Sequence, residues 1–158
     1  MKQGVDVKYV NPFLQSGLSI FESMVQMRLG IGTPEVSSLK FENTTFLIQV
    51  GVTGEMKGQV LLAMTADHAK EIASRMMGGM EVAELDELSR SALGELSNMI
   101  MGNTATLFSN MGILIDITPP LSMLGNRLSL QADVQALKVP LTFENEEFIS
   151  VYICVAKM

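Results

Sequence analysis

The longest helix-like stretch of this chain runs from Glu84 to Met111. At about 100° per residue, most of its apolar side chains fall on one broad face, which must be the buried one. The residues predicted for that face are Leu85, Leu88, Ala92, Leu93, Leu96, Met99, Ile100 and Leu107. The pattern therefore predicts one long amphipathic helix that lies on the core.

The opposite face of this helix carries Glu95 and Asn98 one turn apart, about 4.5 Å along the axis. Their nearest surface neighbours are all small, namely Ser91, Gly94, Gly102 and Ala105. Two glycines inside a helix cost about 1 kcal/mol each relative to alanine. One explanation is a low surface onto which another molecule can come close. The other is that the glycines let a neighbouring helix pack closely and that Glu95 is a solvated charge.

Three further residues of the same helix have separate predictions. Asn103 projects onto the buried face, where a structural hydrogen bond to a neighbouring helix or strand end is expected. Met101 and Phe108 project away from the predicted core, where they would be available to a partner or a second subunit.

The remaining elements alternate in a fixed order. A first helix is predicted from Asn11-Pro12 to Leu29-Gly30, with Asn11 as a possible cap, and a short helix from Thr65 to about Met77. Strands are predicted at 35–41, 45–53, 57–64, 113–117, 128–139 and 148–156, with a bend near Ala136-Leu137. The fold class is therefore α+β: a helix-β-β-β repeat related by a pseudo-twofold axis, with two long helices and one short helix on a six-stranded, largely antiparallel sheet. The last strand is apolar on both faces, so we expect it to be central or at an interface.

Only the second half of this repeat carries the glutamate and asparagine pair. When Ser16–Val25 is laid over Ser91–Ile100, Ile20 stands where Glu95 does and Ser23 where Asn98 does. The sequence therefore predicts one functional site, formed by Glu95 and Asn98 in the second half.

Composition excludes several kinds of partner. A chain of 158 residues fits one domain, 1–158, that buries a full core. The net charge of −6 argues against nucleic acid or an anionic membrane as partner. No apolar run is long enough to span a bilayer and the N-terminal stretch has no apolar leader, so we expect a soluble, cytoplasmic protein.

The scarcity of cysteine and histidine excludes several chemistries. Cys154 is the only cysteine and His68 the only histidine. A disulfide within the chain is therefore impossible, and we expect neither a zinc cluster nor Ser-His-Asp or Cys-His catalysis. Cys154 is predicted to be buried and inert, and His68 to lie on the surface.

The chain resembles a known family in the middle of the long helix. The pattern is Ser91-x3-Glu95-x2-Asn98, followed by MIMGN at 99–103 and by Pro119 or Pro120 about twenty residues later. It is similar to the signature of the CheC/CheX/FliY family of chemotaxis phosphatases, which dephosphorylate the aspartyl-phosphate of the response regulator CheY. The single equipped half resembles the CheX type. Which proline belongs to the signature stays open.

The resemblance implies a role for each site residue. Asn98 would orient the attacking water and Glu95 would pair with the receiver's lysine, while Ser91, Gly94 and Gly102 would form the docking surface. No cofactor is implied in this chain, because the Mg²⁺ belongs to the phosphorylated receiver. The resemblance also implies a homodimer formed by sheet pairing. Two alternatives remain, a non-catalytic adaptor for a receiver or flagellar switch protein and, less favoured, a small-ligand domain.

Overall fold

The computed structural model describes residues 6–158. The N-terminal stretch is predicted to lack an apolar leader, and its first five residues lie outside the described residues. The helices are α1 (Asn11–Ile20), α2 (Ala66–Met76) and α3 (Glu87–Asn110), with a 3₁₀ turn at Val7–Tyr9 and a π-helical turn at Phe21–Val25. The strands are β1 (Gly30–Ile31), β2 (Glu35–Ser37), β3 (Lys40–Phe41), β4 (Thr45–Gly54), β5 (Met56–Met64), β6 (Ile115–Ile117), β7 (Leu121–Gly125), β8 (Leu128–Ser129), β9 (Ala136–Phe143) and β10 (Glu146–Lys157). Within residues 6–158, no helix has the length and apolarity needed to cross a membrane.

Eight of these strands form one antiparallel sheet. Its order is β1-β9-β10-β5-β4-β6, with β2 also paired to β9 and β7 also paired to β4. The α+β class is confirmed, and the prediction of six strands is wrong only in the count, because each edge position is divided into two short strands. The order is also symmetric about its centre: strands of the first half cover β9 of the second, and strands of the second half cover β4 of the first.

Proline causes the division at the edge formed by β6 and β7. Pro119 and Pro120 follow β6 and have no N–H to donate to a strand ladder. Thr118 makes the last bond before them, from its N–H to the carbonyl oxygen of Gly51 at 3.0 Å. Pairing with β4 resumes at Leu121, so the chain bends between two short strands. The second strand, β7, was not predicted from the sequence.

Two predicted strands are broken because the chain leaves the main sheet. Of the predicted strand 35–41, β2 pairs with β9, whereas β3 pairs with β8 in a separate two-stranded sheet. Of the predicted strand 128–139, β8 lies in that small sheet and β9 begins only at Ala136, where the bend was expected. The small sheet and its flanking residues cover part of the sheet face away from the helices, where Phe41 packs edge-on against Tyr152 at 5.1 Å.

The main core lies between the helices and the sheet. Phe13 of α1, Leu93 and Ile100 of α3 and Val151 of β10 are among its fully buried members. As predicted, β10 is central, between β9 and β5. The prediction that Cys154 is buried is also confirmed.

The first helix is shorter than predicted. It ends at Ile20 and continues as the π-helical turn, which Gln26 closes in a left-handed conformation with φ of 60°. The predicted end at Leu29-Gly30 is therefore wrong. Asn11 is the first helical residue rather than the cap, while Pro12 lies in the first turn as expected.

The register proposed between the two halves does not agree with burial. It equates Phe13, which is 1% exposed, with Leu88, which is 60% exposed. Ser16 is likewise buried although Ser91 is exposed. The register that matches burial equates Phe13 with Leu93, and thus Gln15 with Glu95 and Leu18 with Asn98. In both registers the first half lacks the Glu and Asn pair.

The buried face of α3 is turned relative to the prediction. Leu88 lies in the first turn on the exposed side, whereas Met101 and Phe108, predicted to face away from the core, are 3% and 0% exposed. The reason is α1, which packs along the second half of α3: the ring of Phe108 meets Phe13 at 5.4 Å and Tyr9 at 6.3 Å.

The second helix is bounded by the signals read from the sequence. Thr65 accepts a hydrogen bond from the His68 N–H at its start, and Gly78 follows its end with φ of 72°. His68, however, is half-buried rather than a surface residue. Its ring stacks on Phe148 at 4.3 Å, and its Nδ1 lies 2.9 Å from the Phe148 carbonyl oxygen.

Asp86 caps the N-terminus of α3. Its carboxylate accepts hydrogen bonds from the Ser89 N–H at 2.9 Å and the Ser89 hydroxyl at 2.8 Å. Hydrogen bonding to the Ser89 backbone, and then to its side chain, lowers the pKa of the Asp86 carboxyl. The cap fixes where the long helix begins.

Replacing Asp86 with alanine is expected to lower Tm at neutral pH, because the first turn of α3 loses its acceptor. The folded-state pKa lies below the unfolded value, so the contribution is complete above the unfolded value and is lost as the pH falls through the folded one. The difference in Tm between wild type and variant, followed by circular dichroism, should therefore shrink below about pH 4.

The matched control is Asp67→Ala, which removes a carboxylate from the first turn of α2, where Thr65 supplies the cap. It should change Tm less than Asp86→Ala at neutral pH. A difference between wild type and Asp86→Ala that stays constant with acidification would contradict the role assigned to the charged carboxylate.

Candidate functional site

The predicted site residues lie together on the exposed face of α3. Ser91, Glu95, Asn98 and Gly102 are all exposed and follow one another at helical spacing. Within residues 6–158, the Glu95 and Asn98 side chains have neither a hydrogen-bond partner nor an ion-pair partner. Both are therefore available to a molecule outside the chain.

A cleft of about 280 Å³ runs beside these two residues. Arg90, Ser91, Gly94, Glu95 and Asn98 of α3 line one side of it, and Ile48 of β4 with Pro120 and Ser122 of the β7 edge line the other. Pro120 lies against the helix, since a Cβ atom built on Gly94 would be 3.7 Å from its Cγ. Pro119 lines a different cavity. The structure thus places Pro120, and not Pro119, at the site.

The proline wall of the cleft is held by bonds to β4. The Gly51 N–H donates to the Thr118 hydroxyl at 2.7 Å, and the Thr118 N–H donates to the Gly51 carbonyl oxygen. A Cβ atom on Gly51 would lie 3.0 Å from the Thr118 methyl group, so glycine permits this close approach. The bend that carries Pro120 is therefore fixed relative to β4.

The two helical glycines have different surroundings. A Cβ atom on Gly94 would be in ordinary van der Waals contact with Pro120, whereas a Cβ atom on Gly102 would meet nothing within 4 Å in residues 6–158. Close helix packing, the alternative explanation from the sequence, therefore does not account for Gly102 in the described part of the chain. Its cost in helix stability is left without a compensating contact.

The buried side of α3 holds the exposed face in position. Leu93, Leu96 and Ile100 insert into the main core. Asn103 donates from its Nδ2 to the Ser16 hydroxyl of α1 at 3.1 Å, which confirms the structural hydrogen bond predicted for it. The helix that presents Glu95 and Asn98 is thus tied to the sheet, to α1 and to its own cap.

The charges of the cleft are one cation, Arg90, and one anion, Glu95. Among residues 6–158 there is no group of three or more His, Cys, Asp or Glu side chains that can hold a metal ion. The side chains of the cleft offer one amide, two hydroxyls and these two charges. They suit hydrogen bonding to a partner and the positioning of a water molecule better than nucleophilic chemistry.

Sequence reasoning missed three residues of the cleft. Ile48 and Ser122 lie outside the motif, and their place depends on the pairing of β4 with β7. Arg90 carried a signal that was available: a cation in the first turn of a helix stands at the wrong end of the dipole and needs another reason to be there.

Comparison with known proteins gives the same family for sequence and structure. The family model described as "Chemotaxis phosphatase CheX" matches residues 46–144, which include α3 and both strands that border the cleft. The CheY-P phosphatase CheX of Thermotoga maritima is 31% identical over 152 residues, covering 96% of this chain and 97% of that protein.

Solved structures share the fold over nearly the whole chain. A CheC-like superfamily protein from Shewanella sp. PV-4 has a TM-score of 0.80 at 25% identity, covering 96% of this chain and 99% of its own. CheX of Borrelia burgdorferi, solved as a CheX-CheY-BeF3-Mg²⁺ complex, has a TM-score of 0.76 at 26% identity, covering 96% and 100%. The matched region contains the Glu95 and Asn98 face, and the chain belongs to the CheX family of chemotaxis phosphatases.

Proposed function

We propose that this chain hydrolyses the aspartyl-phosphate of a phosphorylated CheY-type receiver. The observation that carries the proposal is the pair of side chains Glu95 and Asn98, which have no partner within residues 6–158. They lie beside the cleft on a helix face where their nearest neighbours are small. Two relatives support the substrate: the Thermotoga protein is named a CheY-P phosphatase, and the Borrelia protein was solved with CheY, BeF3 and Mg²⁺.

Asn98 is proposed to hold the attacking water in line behind phosphorus. Phosphoryl transfer is catalysed mainly by positioning the reacting groups and by stabilising the charge of the transition state. A carboxamide offers both a donor and an acceptor and does not titrate, so it can orient a water without repelling the phosphoryl oxygens. Asn98 is exposed and has no partner within residues 6–158, as this role requires.

Glu95 is proposed to pair with the lysine of the receiver's phosphorylation site. It stands one turn before Asn98, about 4.5 Å along the axis, so the two side chains enter the partner together. An ion pair at Glu95 then fixes the distance from Asn98 to the phosphoryl group. The receiver supplies the Mg²⁺ and the phosphorylated aspartate, and this chain supplies the water-positioning amide.

Ser91, Gly94 and Gly102 are proposed as the docking surface around this pair. Their side chains are small or absent, which allows the receiver's backbone to approach α3 while Glu95 and Asn98 reach further. The open space above Gly102 supports this, because nothing in the described chain uses it.

Asn98→Ala is expected to abolish the stimulated loss of phosphate from a phosphorylated CheY-type receiver, since misplacing the water costs about 10²-fold or more. Glu95→Ala should lose both activity and affinity. Asn98→Asp should also fail, because its charge repels the phosphoryl oxygens. The measurement is phosphate release with wild type, each variant and no addition in parallel.

The matched control is Asn110→Ala, which removes the same side chain from the last residue of the same helix, away from the cleft. It should leave the rate unchanged. Near-wild-type rates in Asn98→Ala would refute the assignment. If wild type binds the receiver without accelerating phosphate loss, the adaptor hypothesis replaces the enzyme.

Gly102→Ala should change stability and activity in opposite directions. Within residues 6–158, the added methyl group meets no neighbouring side chain or element within 4 Å, and alanine improves helix propensity, so unfolding should cost up to about 1 kcal/mol more. The same methyl group occupies space proposed for the receiver, and KM should rise about fivefold or more. Chemical denaturation and steady-state kinetics measure the two effects.

Gly17→Ala is the control for this comparison. Gly17 lies within α1, and its added Cβ atom would meet only Leu141 Cδ1 at an ordinary 3.8 Å. It should raise stability by a similar amount and leave KM unchanged. An unchanged KM in Gly102→Ala would remove Gly102 from the docking surface.

A homodimer is proposed through the sheet edge formed by β1 and β2. This edge exposes two apolar side chains, Ile31 and Val36, and within residues 6–158 its only pairing partner is β9. It is the edge opposite β6 and β7, so a dimer formed there leaves both clefts open to receivers.

Val36→Lys is expected to convert the dimer to a monomer, because a charge then lies in the paired edge. Light scattering gives the mass in solution. The control is Leu114→Lys, which should leave the mass unchanged. Leu114 is as exposed as Val36 but lies beside the opposite edge of the sheet. A wild-type mass of one chain would overturn the dimer.

A further inference from the structure

Arg90 is a charged residue of the cleft that the proposed chemistry does not use. It lines the same cavity as Glu95 and Asn98. Its Nε–H donates to the Leu85 carbonyl oxygen at 3.0 Å, and its guanidinium carbon lies 5.6 Å from the centre of the Phe46 ring. These two contacts hold the side chain in one place.

The charge of Arg90 is not neutralised within the described chain. No carboxylate of residues 6–158 forms an ion pair with it, and its two terminal nitrogens have no acceptor there. It also stands in the first turn of α3, where the helix dipole disfavours a cation. A half-buried guanidinium that is held in place and has free N–H donors can bind an anionic group of another molecule.

The distance from Asn98 limits what that group is. The two residues lie about 12 Å apart along the helix axis. Side chains on a helix lean toward its N-terminus, and Arg90 follows this rule by reaching back to Leu85. A phosphoryl group held at Asn98 is therefore out of reach of Arg90.

We propose that Arg90 is a positioning residue that forms an ion pair with a surface carboxylate of the receiver, beside the phosphorylation pocket. This rests on the proposed function. Arg90 and Glu95, whose backbone positions are about 7.5 Å apart along α3, then present opposite charges that match a carboxylate and a lysine in only one direction. The pair sets the orientation in which the receiver docks, and Asn98 arrives at the phosphoryl group as a result.

The test compares Arg90→Gln, Arg90→Lys and wild type in phosphate release from a phosphorylated CheY-type receiver at low and high salt. Binding of the same receiver without phosphate is measured in parallel. Arg90→Gln should raise KM about fivefold with kcat unchanged, weaken binding of both receiver forms and reduce the salt dependence. Arg90→Lys keeps the charge without the Nε–H bond to Leu85, and it should recover most of the KM.

The control is Lys70→Gln, which removes one positive charge from α2 and should leave KM unchanged. A lysine variant that behaves like the glutamine variant would overturn the ion pair and leave Arg90 a structural contact of Phe46. An unchanged KM in Arg90→Gln, or a loss confined to the phosphorylated receiver, would overturn it as well. Failure of wild type to release phosphate refutes the proposed function alone, because the binding comparison still tests Arg90.

Discussion

The burial of one side of α3 determines what the other side can present. Leu93, Leu96 and Ile100 are held in the main core, and Asn103 is bonded to α1, so the helix cannot rotate about its axis without exposing apolar surface. The backbone positions of Glu95 and Asn98 are thereby fixed, although their side chains form no hydrogen bond or ion pair within residues 6–158. Two long polar side chains gain a defined direction from packing that lies beneath them.

The cleft also depends on the interruption of the sheet edge between β6 and β7. Prolines at 119 and 120 stop the pairing of β6 with β4, and Thr118 and Gly51 fasten the chain at the point of interruption. The bend brings Pro120 beside Gly94, where even an added Cβ atom would lie at an ordinary 3.7 Å from its Cγ. The interruption of the strand pairing thus forms one wall of the cleft.

The sequence predicts the strongly periodic parts of this fold and the centre of the site. The long helix, the strands β4, β5 and β10, and the exposure of Glu95 and Asn98 follow from spacing and from the local motif. Periodicity does not say which neighbour covers which side of a helix. The pattern therefore predicts Leu88 inside and Phe108 outside, whereas α1 packs on the second half of α3 and buries Phe108. Strand β7 is short and follows two prolines, so it depends on a long-range pairing with β4 that no local pattern encodes. Arg90 lies before the motif, and its charge at the start of the helix is the one local signal for it.

The cleft draws on both halves of the repeat. Its helix comes from the second half of the repeat, while Ile48 and the strand that anchors the proline bend come from the first. A second half folded alone would have the helix, Pro120 and Ser122, but it would lack Ile48 and the strand β4 that anchors the proline bend. The complete cleft therefore requires the pairing of the two halves.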